Sequence, residues 1–330
     1  MDFRLTEDQE ALRRGMRELL AARFDEAALR RAADDGAGLD GALWRELGEA
    51  GVFSLRMAED LGGVGLGLPE AVLVFEEAGA ALLPGPLAAS HLAAGLVPGA
   101  ADGTVIVTAV DLVERGMVEH LDSADAVLVL GDTVRMLAPG ALPAEPVRSL
   151  DPLSPLHRVP PLHGMPPLDR VPEPPGAGGE PPGAVGELLE ADPAVLRHRA
   201  ALLTAAQQLG SAARTLRMAV GYASGREQFG QPIGAFQAVK HLCAEMLVRS
   251  ETARSVVYAA AVTEDHGEIH AAKLLADEAA VQNARDCLQV HGGMGFTWEA
   301  EVHLHLKRAW LRAGQWLTAV TAEEELASAL

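Results

Sequence analysis

Gly225-Arg226-Glu227-Gln228-Phe229-Gly230-Gln231-Pro232-Ile233-Gly234-Ala235-Phe236-Gln237 is the stretch on which the fold turns. It sets an arginine, an aromatic ring and several glutamines in a tight turn that opens a helix. That combination suits an anionic dinucleotide: a guanidinium is always charged and forks onto phosphate oxygens, Phe229 offers an apolar face, and Gln237 lies on the next helix. A second segment, Gln289-Val290-His291-Gly292-Gly293-Met294-Gly295-Phe296, reads as a Gly-Gly turn between two further helices.

The rest of the composition narrows what those motifs can mean. The chain has 330 residues and a formal charge of -19, long enough for a large core divided among several domains. Such a negative balance argues against a nucleic-acid surface, which needs clustered Lys and Arg. Cations must therefore be placed locally, which draws attention to Arg226 and to Lys307-Arg308, the latter pair expected on a solvated helix face. No apolar run reaches the roughly 18 residues of a membrane helix. The start, Met1-Asp2-Phe3-Arg4-Leu5-Thr6-Glu7-Asp8-Gln9-Glu10, is acidic and helix-like, unlike a signal peptide, so a cytoplasmic protein is expected. The two cysteines, Cys243 and Cys287, lack metal-ligand spacing. Buried thiols are expected, with no disulfide framework and no metal site.

The chain divides into three zones. From Leu5 to about Ala94 apolar residues recur at helical spacing, as in Leu12, Met16, Leu19 and Leu20, and Thr6 with Gln9 reads as a capping box. The glycine-rich loop Leu61 to Pro69 precedes a helix expected over Glu70 to Leu83, and it lacks the Gly-Lys-Ser/Thr ending of a phosphate loop. From Gly103 to Leu150 the texture is β-like, in Thr104 to Val110 and Ala126 to Leu130, the latter turned by Gly131-Asp132. Asp151 to Pro193 is dense in proline, compatible with an edge strand or extended linker, with Glu173 to Gly183 expected to be mobile. The remainder reads as four long helices near 194–224, 234–264, 267–290 and 298–326. Gly210 and Gly221 fall inside the first of them, each costing about 1 kcal/mol against Ala, and close helix packing is the expected reason for both.

Together the two motifs resemble the acyl-CoA dehydrogenase family, and the likeness runs over nearly the whole chain. The resemblance implies a mainly α fold with a small β middle domain: a helical N-terminal domain (1–100), a truncated β middle domain with a Pro-rich linker (101–192), and a C-terminal four-helix bundle (193–330) that carries subunit contacts. The glycine-rich loop is similar to one that precedes a wall of the acyl pocket in that family, although a plain interhelical turn reads equally well. The resemblance implies FAD as cofactor. Arg226, Gln228, Phe229 and Gln237 would reach a neighbouring subunit's FAD, with Gln289, His291, Gly292 and Gly293 closing around the adenine end. His291 reads as a structural or adenine-edge residue rather than a base.

Set against that family, three features are missing. Val107-Thr108-Ala109-Val110-Asp111 stands where a Thr-Glu-Pro segment would meet the flavin, and the Gly-Ser-Asp and Lys-x-x-Ile-Thr-Asn segments are not found. One family position for the α-proton base falls at or near Ala200, and the other at Trp316. The run Glu323-Glu324-Glu325 comes too late in the terminal helix and reads as a solvated face. No residue is therefore assigned as catalytic.

These features together read as a subunit of a heteromeric acyl-CoA dehydrogenase. A longer partner chain would hold the flavin ring, the base and the acyl-CoA, and this chain would complete the ADP half of the FAD site for α,β-dehydrogenation in lipid or steroid β-oxidation. Gly295 to Glu299 and Lys307-Arg308-Ala309 look most similar to the short subunits of such actinobacterial enzymes, and self-association through the bundle is also implied. Two other readings stay open: a self-sufficient flavoenzyme with a relocated base, and a non-catalytic assembly scaffold.

Overall fold

A computed structural model describes residues 4–36, 39–113, 116–160 and 186–329. The fold is mainly α with a small β portion. In chain order the helices are α1 (Glu7–Arg23), α2 (Glu26–Asp34), α3 (Gly41–Glu49), α4 (Leu68–Ala80), α5 (Leu87–Ala93), α6 (Pro193–Gly225), α7 (Gln237–Thr263), α8 (His266–His291), α9 (Val302–Arg312) and α10 (Ala319–Ser328). The strands are β1 (Val107–Asp111), β2 (Met117–Glu119), β3 (Ala126–Leu130), β4 (Val134–Leu137), β5 (Glu145–Val147), β6 (Leu156–Arg158), β7 (Glu187–Leu189), β8 (Glu227–Gln228) and β9 (Gln231–Pro232). The residues group into a unit of Met1–Asp34, Leu66–Leu83 and His198–Leu330, and another of Asp35–Gly65 and Pro84–Arg197.

In the first unit, helix ends and crossings arise from local chemistry. Thr6 caps α1 as expected: its Oγ1 accepts from Gln9 N at 3.2 Å and its own N–H donates to Gln9 Oε1 at 3.0 Å. The helix expected from Glu70 begins two residues earlier, because Pro69 fits a first helical turn and Glu70 Oε2 accepts from the N–H of Gly67 at 3.0 Å. α4 then crosses α6 backbone to backbone. A Cβ on Gly79 would lie 2.0 Å from Gln207 O, and one on Gly210 would lie 1.8 Å from Glu76 O. Close packing therefore explains Gly210. It does not explain Gly221, where a Cβ would meet nothing within 4 Å.

Two adjacent carboxylates fasten this crossing in opposite directions. Glu77 accepts from Arg13 Nε at 2.8 Å and Arg17 Nη2 at 2.6 Å, both on α1. Burial opposes ionisation there, yet the Arg17 and Arg13 hydrogen bonds prevail and hold its carboxyl below the usual range. Glu76 accepts from Arg254 and, at 2.7 Å, from Tyr258 Oη, both on α7.

α8 is cross-linked to its neighbours by buried polar side chains. Asn283 Nδ2 donates to Ala212 O of α6 at 3.2 Å and to Met246 O of α7 at 3.0 Å. Asp277 pairs with Lys273 and accepts from Gln208 Nε2 at 2.9 Å. Lys273 also donates to the carbonyl of Arg312 at 3.1 Å, at the end of α9. The single helix expected over 298–326 is two helices instead. The carbonyl of Arg312 is taken by Lys273, Trp316 adopts φ 66°, and Thr318 Oγ1 begins α10 by accepting from Thr321 N at 3.4 Å. Arg308 is also unlike the expected solvated residue: it is 2% exposed, and its Nη1 donates to Leu83 O at 3.2 Å. The three consecutive glutamates 323–325 are exposed, as expected. Cys287 is buried, with its thiol pushed up to about 12 by burial, and half-buried Cys243 is raised for the same reason.

The second unit holds the sheets. One has the order β1-β3-β4-β7 with β1 and β3 parallel, and the other the order β2-β6-β5. β3 matches the expected run, while the expected strand 104–110 starts only at Val107. Pro146 lies on β5, an edge strand, where a missing N–H costs no ladder bond. Val110, Val118, Val127 and Val129 form the core beneath. Arg197 Nε reaches both oxygens of Asp111 at 3.0 Å, and its Nη2 donates to Gly131 O at 2.8 Å. Of the proline-dense segment Asp151 to Pro193, residues 161–185, including the stretch 173–183, lie outside the described residues.

The two α6 glycines give a paired test. Gly210→Ala is expected to lower stability in urea titrations by about 1–3 kcal/mol or more through overpacking. Gly221→Ala is expected to leave stability unchanged or raise it by up to about 1 kcal/mol through helix propensity.

Candidate functional site

The end of α6 builds the candidate site. Arg226 N donates to Tyr222 O at 2.8 Å, closing the last turn, and Ile233 N returns to Arg226 O at 2.8 Å across a hairpin. In that hairpin β8 and β9 pair as Glu227↔Pro232 and Gln228↔Gln231, so Phe229-Gly230 is a two-residue turn. Both turn residues have positive φ, 55° and 77°, as a type I′ turn requires. Glycine adopts that conformation freely, whereas a bulky side chain does so at a cost. Phe229 is nevertheless there, 91% exposed, touching Phe236 edge-on at a centroid distance of 6.1 Å. Among the described residues the Arg226 guanidinium has no hydrogen bond or ion pair, and it is exposed.

Beside this hairpin is a recess of about 670 Å³ lined by Met218, Gly221, Tyr222, Gly225, Arg226, His291 and Met294. The Tyr222 and His291 rings stack at 4.2 Å. His291 Nδ1–H donates to Cys287 O at 2.8 Å, which leaves Nε2 as the ring's acceptor. Gly221, bare of side chain and without packing partners, keeps the α6 wall open. Of the sequence-predicted residues, the structure brings Arg226 and His291 together here. Gln228 and Phe229 are on the hairpin, with Gln228 Nε2 donating to Glu227 O at 2.7 Å, and Gln237 opens α7. Gln289 is on the exposed side of α8, and Gly292 and Gly293 form the short 3₁₀ segment after it. Sequence reasoning missed Met218, Gly221 and Tyr222, although they recur at helical spacing ahead of Arg226. An unpaired guanidinium, stacked rings and a glycine-bared wall are groups that could hold the phosphate and base portion of a dinucleotide.

A second cavity of about 660 Å³ opens between α1, α2, α4, α6 and α9. It contains Glu77 and Glu301, the latter 3.4 Å from Arg214. Neither is suited to take a substrate proton, since each is paired with arginine. His305 closes the cavity floor, 1% exposed, with Nδ1 2.7 Å from Ser211 Oγ. Burial, then the guanidiniums of Arg214, Arg308, Arg312 and Arg217, push its pKa down to about 3. At the two positions where a base was sought, Ala200 is fully buried on α6 and Trp316 occupies the break after α9. Asp111 is committed to Arg197.

Residues 6–104 match the acyl-CoA dehydrogenase N-terminal domain, and residues 197–314 the acyl-CoA dehydrogenase C-terminal domain. The chain is similar to acyl-CoA dehydrogenase IpdE2 of Mycobacterium tuberculosis, 34% identical over 319 residues, covering 92% of this chain and 91% of that protein. Its fold is similar to that of the ChsE4-ChsE5 complex of Mycobacterium tuberculosis, with TM-score 0.82, 24% identity and coverage of 99% of this chain and 98% of that one. A structure described as a Tcur3481-Tcur3483 steroid ACAD variant gives TM-score 0.81 at 22% identity, covering 98% and 97%. At these identities the structural likenesses show the fold alone.

His305 makes stability depend on acidity. It stays neutral in the folded state to about pH 3, whereas the unfolded chain protonates it near 6.5. The unfolded state thus binds the extra proton between those values, and stability falls as pH drops from 6.5 toward 3. His305→Gln is expected to flatten that slope by up to about 1.4 kcal/mol per pH unit in denaturant titrations.

Proposed function

Because this chain belongs to the acyl-CoA dehydrogenase family of FAD-dependent oxidoreductases, we propose that it serves as the subunit that completes the ADP half of an FAD site. A longer partner chain holds the isoalloxazine, the catalytic carboxylate and an acyl-CoA thioester. The chain then divides as its sequence reads, with a helical part to residue 100, a truncated β part over 101–192 and a helical part from 193.

The observation that carries this reading is the turn of Phe229-Gly230. An aromatic at positive φ that is 91% exposed, with one edge-on ring contact to Phe236 and an unpaired guanidinium beside it, is explained by a ligand or partner outside the chain. Arg226 is suited to hold a diphosphate, the Tyr222–His291 stack to support a purine, and Gln228, Gln237 and Gln289 to donate amide hydrogen bonds. Gly292 and Gly293 allow close backbone approach. FAD, when bound, supplies the hydride acceptor for α,β-dehydrogenation. The α-proton falls to a carboxylate of the partner, since this chain places Ala200 and Trp316 where such a base would stand. That one neighbour in fold is a two-protein complex agrees with a partner subunit.

The test is flavin absorbance after gel filtration, for the chain alone and co-expressed with a longer family member carrying Thr-Glu-Pro, Gly-Ser-Asp and a helix-borne Glu. Flavin is expected only in the complex, and a yellow protein from the chain alone overturns the partner reading. Arg226→Ala is expected to weaken FAD retention about tenfold or more, since charge-assisted bonds contribute about 1.5–3 kcal/mol each. Its stability should change by no more than about 0.5 kcal/mol. Full flavin occupancy in a normally assembled variant would remove Arg226 from the site.

A further inference from the structure

The cavity between α1, α2, α4, α6 and α9 shares no lining residue with the recess at Arg226, so a ligand there is independent of the flavin site. Its walls are chemically divided. Leu20, Phe24 and Leu29, at 3%, 9% and 5% exposure, form an apolar side. Arg13, Arg17, Arg214 and Arg217 also line the cavity, an unusual gathering in a chain of charge -19.

The guanidiniums are not equally engaged. Arg13 and Arg17 are committed to Glu77. Arg214 has one longer contact, 3.4 Å to Glu301. Arg217, one turn further along α6, has no hydrogen bond or ion pair among the described residues. Desolvation lowers its pKa; the charge of nearby Glu77 opposes that, Arg214 and Arg17 add to the lowering, and no described carboxylate comes within ion-pair distance. The carboxylates that could answer it are otherwise engaged or face water: Glu77 and Glu301 are paired, Asp25 Oδ1 accepts from Ala28 N at 2.8 Å at the start of α2, and Glu26 is exposed. Arg214 and Arg217 remain open to solvent, so a ligand can reach both. Neutral His305 on the floor adds no charge of its own.

We propose that this cavity binds an amphipathic anion, its carboxylate or phosphate on Arg217 and Arg214 and its apolar body against Leu20, Phe24 and Leu29. Its volume of about 660 Å³ lies in the range of small-molecule sites, about 300–1,000 Å³. An anion there relieves the unanswered charge of Arg217, and a bidentate guanidinium contact fixes its orientation.

Calorimetric titration of the full chain with decanoate, decyl phosphate and decanol tests this. Saturable binding of either anion, with decanol much weaker, is the expected result, and the tighter of the two anions identifies the head group. Arg217→Gln is expected to weaken that binding about tenfold. Ala21→Trp, at an exposed rim position, puts a bulky ring into the cavity while leaving Arg214 and Arg217 in place, and is expected to abolish binding. It decides the matter should the arginine variant lose its helical circular dichroism. The proposal is overturned if neither anion saturates, if decanol binds equally well, or if anion affinity survives in a folded variant.

Discussion

The contact between the α4 and α6 backbones at Gly79 and Gly210 is the constraint on which the helical unit rests. With these helices closer than any side chain permits, the two residues preceding Ala78 are turned to opposite sides, Glu76 toward α7 and Glu77 toward α1. One crossing therefore positions three neighbours at once. A methyl group there would push against backbone rather than a movable side chain, and protein interiors, packed as densely as organic crystals, have little room to relax.

The buried polar groups specify which helices meet. Apolar alanine faces alone would let α6, α7 and α8 slide, since many registers bury similar area. Asn283 bonds carbonyls of both α6 and α7, and Gln208 bonds Asp277 of α8 and Ala309 O of α9. The donors Asn283 Nδ2 and Gln208 Nε2 are satisfied in this register and would be stranded in others, where an unmet buried donor costs about 1–3 kcal/mol. The arginines obey the same rule: in an acidic chain many of the cations are engaged inside, on Glu76, Glu77, Asp111 and Leu83 O. That is why an uncommitted one such as Arg226 or Arg217 carries information.

Much of the fold was legible because its signals are local. Thr6 with Gln9 marks a helix start by itself, Ala126 to Leu130 is a buried strand in any context, and Arg226 to Gln237 carries a turn, a charge and a helix start together. What escaped depends on neighbours far along the chain. Gly210 and Gly221 are the same residue in the same helix, yet one touches a backbone and the other nothing. Arg308 looked solvated until Leu83 O was placed beside it. In the candidate site, Arg226 and His291 were legible as motif residues, but Tyr222 was not, because its partner ring comes from α8.

The interruption between α9 and α10 has a consequence for how the chain end is held. Cutting the peptide dipole ladder at Arg312 means that the last helix no longer shares hydrogen bonds with the one before it. Its one buried member is Ala322, and it packs on α8. The chain end after α9 is therefore held through its packing on α8 rather than by a hydrogen-bond ladder continued from α9, which is itself anchored by Lys273 and Gln208.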